Sequence, residues 1–544
     1  MRWHPLVIKW CLRIYIKSHG LYEDIRNSGG LKLPSGRLLS DYKNFCAPEC
    51  GWKTANLQNM KAQFDKMKPP KHAKLGIMVF DEVKIKEGLV FDCKNWELIG
   101  FTDLQDAEIL DGKPTKPTDN LATHVLQIFF RSLFFNFDYP CAFFLTKEAT
   151  SLQLKRIFWQ GVSMLHIFDF EILICCCDGA SSNRSFITLN IEDTTLGFCQ
   201  NIYSGMPVFF LSDPPHLIKK LRNNIHSSGF KEKHSRYSRS LLVDEQYILW
   251  DHVYSVYTRE QNRHLYVTDL RKSHVQIDSF SKMRVKLAVE TLSSKVAAEM
   301  EASESEATVQ TRRYIKNCDI FWKVFSDPTP LVNIDDKRIR ELDSVMKYFE
   351  DWRIWLSKKF PKKEEQSQHF ISWQTKFDLD VSIVTIIGFH RQKLTVFKVI
   401  ISRLVTVTGF CFERPLRSFF LFLQLTINAL KQLLKFMNGE KFVAEYDKNL
   451  YINLAKINQD FVESFFSCQR QMCGGTQNMT AYVYGYNNNS LTSLRSSRLL
   501  MKKQTNVYEV QESLPFLNNE DEKLPRRKRN DSIWDSIEWY MELD

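Results

Sequence analysis

The sequence predicts an α/β fold: a sheet-based domain interrupted by a long, mainly helical insertion and preceded by a small helical module. Three observations carry this. Leu75–Phe80 and Ile172–Cys177 are short apolar runs bounded by turn signals, as buried strands are, and each leads directly into an aspartate, Asp81 and Asp178. From residue 200 to about 440 the pattern turns mainly helical. Beyond it, residues 458–472 alternate polar and apolar positions at helical spacing around Glu463.

The N-terminal residues read as three short helices. Leu6, Ile8, Cys11 and Ile14 repeat at roughly helical spacing, Gly20–Arg26 forms a second helix, and Pro34 and Ser35 open a third that carries Arg37 and Lys43. Two helices, a glycine-containing turn and a basic third helix fit a helix-turn-helix, with Arg37 and Lys43 as candidate DNA contacts. A helical packing module fits the same spacing. A Lys-rich connector, 61–74, precedes the first strand. Val90-Phe91 and Leu98–Phe101 read as meander strands, 124–135 and 141–145 as further β-rich runs, and about 149–166 as a helix. The expected domains are a helical module at 1–60, a sheet domain at 72–200 and 441–505, an insertion at 201–440, and a disordered tail at 506–544.

With 544 residues, 44% of them hydrophobic and 40 of them Phe, the chain has material for a large core and two to four domains. Lys and Arg total 74 against 63 Asp and Glu, a net charge of +11 that suits a polyanionic partner such as nucleic acid. The 13 Cys are odd in number and scattered, which fits a reducing compartment better than a disulfide framework. Cys46 and Cys50 have the spacing of half a zinc site but no second half, so they read as ordinary thiols. The N-terminus lacks the pattern of a signal peptide. The uncharged apolar stretch 418–430 falls short of the roughly 20 residues a membrane span needs and reads as a buried helix. The basic cluster Lys523–Arg529 reads either as a nuclear-import or phosphate-contact segment or as a solvated tail.

The chemistry centres on three acids. An aspartate at the carboxyl end of a buried strand is held rigidly at the sheet edge, where α/β sheets place ligand groups. A turn or helix cap is the competing role, for Asp178 especially, because Ser181–Arg184 starts a helix. On the helix at 458–472, Gln459, Asp460, Ser467 and Arg470 fall within about 60° of Glu463. Phe461, Phe465, Cys468 and Met472 fall opposite, with Phe466 at the edge of the polar stripe. A solvated surface helix has the same period. Gly474-Gly475 supplies its stop. Asp81, Asp178 and Glu463 together are hard oxygen ligands suited to two Mg²⁺ or Mn²⁺ ions and to phosphodiester cleavage. Asp178 and Glu463 stand 285 residues apart, so the sheet domain must tolerate a large insertion.

Four segments occur in an order that resembles the P-element-type transposases and their THAP-domain relatives. They are Met78–Lys86 with Ile99–Asp103 downstream, Cys177–Arg184, Leu211–Asn223, and Asn458–Phe466 followed by Gly474-Gly475. The resemblance covers 1–110, 170–225 and 450–505. It implies an RNase H-like catalytic domain split by a GTP-binding insertion, which cuts transposon ends and joins them to target DNA. It places the catalytic, metal-binding acids on Asp81, Asp178 and Glu463. It implies a GTP site that includes Asp213 and Lys219, with Asp460 lining that site or the metal site. From the residues alone, Asp213 and Pro214 read as the capped start of a helix, whose N-terminus favours phosphate. No Walker-type Gly-rich loop is present. The family's N-terminal zinc finger and the leucine zipper after it have no counterpart here, and 385–440 matches poorly. The expectation is therefore a nuclear DNA transposase using Mg²⁺ or Mn²⁺ and GTP, with a homo-oligomer left open. The alternative is a truncated or domesticated derivative that binds DNA without cutting it.

Overall fold

The computed structural model describes residues 3–43, 49–372 and 450–502, apart from 94–95, 105–119, 192–197, 231–237, 264–265, 304, 332–334, 474 and 476–477, with Thr375, Met437 and Tyr446 as single additions. The expected helix at 418–430, Cys46 and the tail beyond 506 lie outside the described residues. No helix among the described residues is long and apolar enough to cross a membrane.

Three helices open the chain, α1 (Pro5–Lys17), α2 (His19–Asn27) and α3 (Gly36–Lys43), followed by α4 (Thr54–Lys66). Ile8, Cys11, Tyr22 and Leu39 form a small core for the first three. Ser35 caps α3 as its position suggests, accepting from Leu38 N at 3.3 Å. The strands are β1 (Leu75–Lys84), β2 (Val90–Asp92), β3 (Glu97–Ile99), β4 (His124–Ser132), β5 (Asp138–Thr146), β6 (Glu171–Cys177), β7 (Phe198–Gln200), β8 (Pro207–Ser212), β9 (Leu241–Val243) and β10 (Gln246–Ile248). Helix α5 (Ser151–Ile167) precedes β6, α6 (Ser181–Asn190) follows it, and α7 (Pro214–His226) follows β8.

Six strands form one mixed sheet in the order β5-β4-β1-β6-β8-β7. β1, β4 and β5 run antiparallel, β6 and β8 lie parallel to β1, and β7 returns antiparallel to β8. The expected domain boundary at 200 therefore falls inside the sheet. Val208–Leu211 is buried throughout, so β8 has no alternation to separate it from its helical surroundings. The insertion proper starts at α7 and contains the β9–β10 hairpin with α8 (Trp250–Gln261), α9 (Lys272–Val275), α10 (Ser279–Met283), α11 (Val285–Thr291), α12 (Ser294–Glu301), α13 (Val309–Ser326), α14 (Lys337–Lys359) and α15 (Lys363–His369). Tyr314 on α13 donates to Leu221 O at 2.9 Å, and buried Arg222 donates to Ser281 O and Lys282 O, which ties α7 into this helical body.

The chain returns to the sheet through α16 (Asp460–Met472) and α17 (Ala481–Lys502). Successive strand residues point to opposite faces, and the aromatic contacts sort accordingly. Phe80 and Phe210 meet Phe158 of α5 and Phe186 of α6 on one face. On the other, Phe129 packs edge-on to Phe461 and Phe465 of α16 at 5.2 and 5.1 Å. The Asn-rich stretch after Gly475 is helical, and α17 contacts α1, α3, α16 and β5. Its Tyr484 hydroxyl donates to Gln127 Oε1 at 2.8 Å, in a fully buried position.

Tyr484→Phe removes the donor to Gln127 Oε1. Stranding a buried acceptor is expected to cost about 1–3 kcal/mol. Urea unfolding checks it: the midpoint should fall while the slope stays constant.

Candidate active site

The acid pair is set by strand register. β1 and β6 pair in parallel up to Val79 and Cys176, and two residues beyond that last pair come Asp81 and Asp178. The two carboxylates thus leave the sheet side by side where the strands part. Asp81 does not close its strand, as the apolar run alone suggests, because β1 continues to Lys84 along β4. Only its β6 edge ends there. Asp81 Oδ1 accepts from Glu82 N at 2.8 Å. Asp178 Oδ1 accepts from Ala180 N at 2.9 Å and from Asn183 Nδ2 at 2.5 Å, which fixes its orientation in a turn; the cap position of α6 belongs to Ala180 and not to Asp178.

Glu463 lies in the first turn of α16 with Asp460. Its Oε1 sits 3.2 Å from His216 Nε2 and 3.7 Å from Lys219 Nζ, both on α7. Asp460, Glu463, Ser467 and Arg470 form the exposed face, as the helical spacing predicts. Two details differ. Phe466 is buried and Phe461 only partly so, because the sheet and α17 embrace the helix from two sides. Gln459 precedes the helix instead of sharing Glu463's polar face, and it is fully buried.

Asp213 caps α7, accepting from His216 N at 2.9 Å through Oδ2. Its Oδ1 accepts from Gln459 N at 2.7 Å, so both oxygens of this buried carboxylate are engaged. Asp213, Lys219 and Asp460 therefore gather beside Glu463 at the start of α7 and α16. Arg37 and Lys43 lie apart from this cluster, on α3, with Arg37 exposed.

The electrostatics ask for positive charge. Burial, and next the like charge of Asp178, push Asp81 up to about 7. Burial raises Asp460 as well, reinforced by Glu463. Glu463 instead is held below the ordinary glutamate range by its bond to His216. Burial alone lowers His216, but Glu463 and Asp213 outweigh it and raise its pKa overall. The donor chemistry of Asp81 and Asp178 fits a divalent cation, which would relieve their repulsion. The third acid is turned to His216 and Lys219, and among the described residues no three ligands are placed to hold a metal ion.

Residues 48–189 match the family described as TNP-like, RNase H N-terminal domain, and residues 215–334 match its GTP-binding insertion domain. The chain belongs to the P-element-type transposase family. A solved chain of the Drosophila P element transposase strand transfer complex has the same fold, with a TM-score of 0.63 at 16% identity over 92% of this chain and 94% of that one. No curated protein matches the sequence. The antiparallel β5-β4-β1 edge followed by parallel β6 and β8 is the RNase H-like sheet of this P-element-type chain, split by the insertion after β8. Lys219 falls within the matched GTP-binding range, Asp213 just before it and Asp460 outside it.

Sequence reasoning missed Asn183, His216 and Gln459 as parts of the site. Each sits inside a segment that carried the resemblance, but none has a chemistry at that spacing to mark it.

The raised pKa of Asp81 has a consequence for stability. Between its ordinary 3.8 and about 7 the folded protein keeps a proton the unfolded chain has released, so its stabilising effect is full below that window and lost as pH rises through it. Metal-free Asp81→Asn is therefore expected to melt several degrees above the parent at pH 8 and to gain nothing near pH 4. Calorimetric melting at both pH values checks it, and an equal gain at both would contradict the raised pKa.

Proposed function

We propose that this chain is a DNA transposase that cuts transposon-end phosphodiester bonds and joins them to target DNA, with Asp81, Asp178 and Glu463 as its catalytic, metal-binding acids and GTP as a cofactor. The observation that carries the reading is the register: two buried parallel strands release two aspartates side by side, and the helix that carries Glu463 packs through Phe465 on the same face of the sheet. Asp81 and Asp178, with Glu463 as the third acid, would hold paired Mg²⁺ or Mn²⁺ ions, which would supply activation of a water or 3′-hydroxyl and stabilisation of the leaving oxygen. The chain's own residues prepare the site. Asn183 and Ala180 N orient Asp178, Glu82 N orients Asp81, and His216 with Lys219 holds Glu463 near the cleft. The charge of +11, together with Arg37 and Lys43 on α3, supports binding of DNA phosphates. The guanine nucleotide belongs to the insertion, with Lys219 and Asp460 as its nearest contacts. Asp213 is the least available of the three because both its oxygens are engaged. Action on DNA in a nucleated cell would place the chain in the nucleus.

A second reading, binding without cutting, is favoured by one observation: Glu463 is engaged by the imidazole of His216 and the ammonium of Lys219 from α7 and faces them, not a third ligand position. A nicking assay on generic DNA with Mn²⁺ separates the two. Under the first reading Glu463→Gln and Asp81→Ala lose cleavage by more than about 100-fold, beyond what losing a group behind a metal ligand costs. Equal cleavage by parent and variants sinks the acid assignment. Steeply salt-dependent DNA binding with no cleavage by the parent, GTP present, supports the second.

A further inference from the structure

Three distant parts of the chain meet at one buried residue, through its side chain and its backbone N–H. Gln459 is completely buried, and its Nε2 donates to Phe80 O at 2.7 Å, the carbonyl directly before Asp81. Its own N–H donates at 2.7 Å to Oδ1 of Asp213, the residue that caps the first helix of the insertion. Four residues later the same chain segment presents Glu463. These bonds link positions 379 and 246 residues apart in sequence. The Gln459 Oε1 atom is buried without a hydrogen bond, so the side chain is held through its Nε2 alone.

The energetics make the junction more than packing. A carboxylate as buried as Asp213 is costly unless its oxygens are satisfied, and here backbone N–H groups of α7 and of residue 459 satisfy both. Withdrawing either one leaves a buried charge short of a partner. The start of α7 and the start of α16 are thereby fixed to each other, and His216 and Lys219 on α7 reach Glu463 on α16 from that fixed origin.

We propose that Gln459, with Asp213, is a positioning pair that sets Glu463 against Asp81 and couples the start of the GTP-binding insertion to the acid cleft. This rests on the reading of Asp81, Asp178 and Glu463 as metal ligands. It assigns Asp213 to the framework of the cleft and not to nucleotide contact.

The test is Mn²⁺ binding to the full chain followed by electron paramagnetic resonance, with melting temperatures measured alongside. Gln459→Met keeps the size of the side chain and removes its donor. It is expected to weaken Mn²⁺ binding by about tenfold or more, as loss of groups behind metal ligands does, while the melting temperature moves little. Asp213→Asn, which keeps the shape of its side chain, should do the same and carries the test if Gln459→Met does not fold. Asn453→Ala, which removes a cap earlier in the same segment, should leave Mn²⁺ affinity unchanged. Parent-like Mn²⁺ binding by the Gln459 and Asp213 variants, with Asp81→Ala losing it, overturns the proposal and leaves the acid site standing. An equal loss in Asn453→Ala also overturns it, since general loosening then accounts for the effect. Should Asp81→Ala itself bind Mn²⁺ like the parent, the acid-site reading fails and the positioning role falls with it.

Discussion

Where the parallel pairing of β1 with β6 stops, the backbone amides lose their ladder partners and the cleft opens. Val79 and Cys176 are the last pair, and the side chains just beyond them are the two aspartates. A shift of one residue would turn one of those carboxylates to the opposite face of the sheet, because side chains alternate along a strand. The apolar core is what prevents such a slip. Ile77, Met78 and Val79 on β1 and Ile174, Cys175 and Cys176 on β6 are buried on both faces, so register and hydrophobic burial are one constraint. Helices α5 and α6 close one side and α16 and α17 the other.

Concentrating carboxylates at such a point is destabilising by itself, and the chain counters it with what lies nearest. Asp178 is bound by an amide side chain and a backbone N–H, and Glu463 by an imidazole and an ammonium group. Asp81 accepts from the Glu82 backbone N–H, and burial with the like charge of Asp178 pushes its pKa up to about 7. Burial and the like charge of Asp178 thus fall on Asp81, and a cation bound there would offset both.

Much of this was legible before any coordinates. The two apolar runs ending in aspartate, the capped start of α7 at Asp213-Pro214 and the polar face around Glu463 all depend on local pattern, and local pattern survives folding. What was not legible depends on partners distant in sequence. The continuation of β1 to Lys84 depends on β4, since Glu82 and Lys84 are polar and exposed and give no apolar signal. β8 was folded into the insertion because a six-residue strand buried on both faces has no period to read. Gln459 fell on Glu463's polar face by angle alone, yet it stands outside the helix, drawn inward by Phe80 O. No spacing rule encodes a bond across 379 residues.

The insertion leaves the sheet after Ser212 and the chain comes back at Gln459, one hydrogen bond from where it departed. A domain whose two ends emerge side by side asks nothing of the sheet that hosts it: neither strand order nor register depends on how long the excursion is. Such a junction is a seam at which a lineage can gain, enlarge or lose a whole domain in a single recombination event, with the ancestral sheet folding as before. The short step from Gln459, at the cap of α16, to Glu463 in its first turn is then the part of the host fold on which an inserted domain can act.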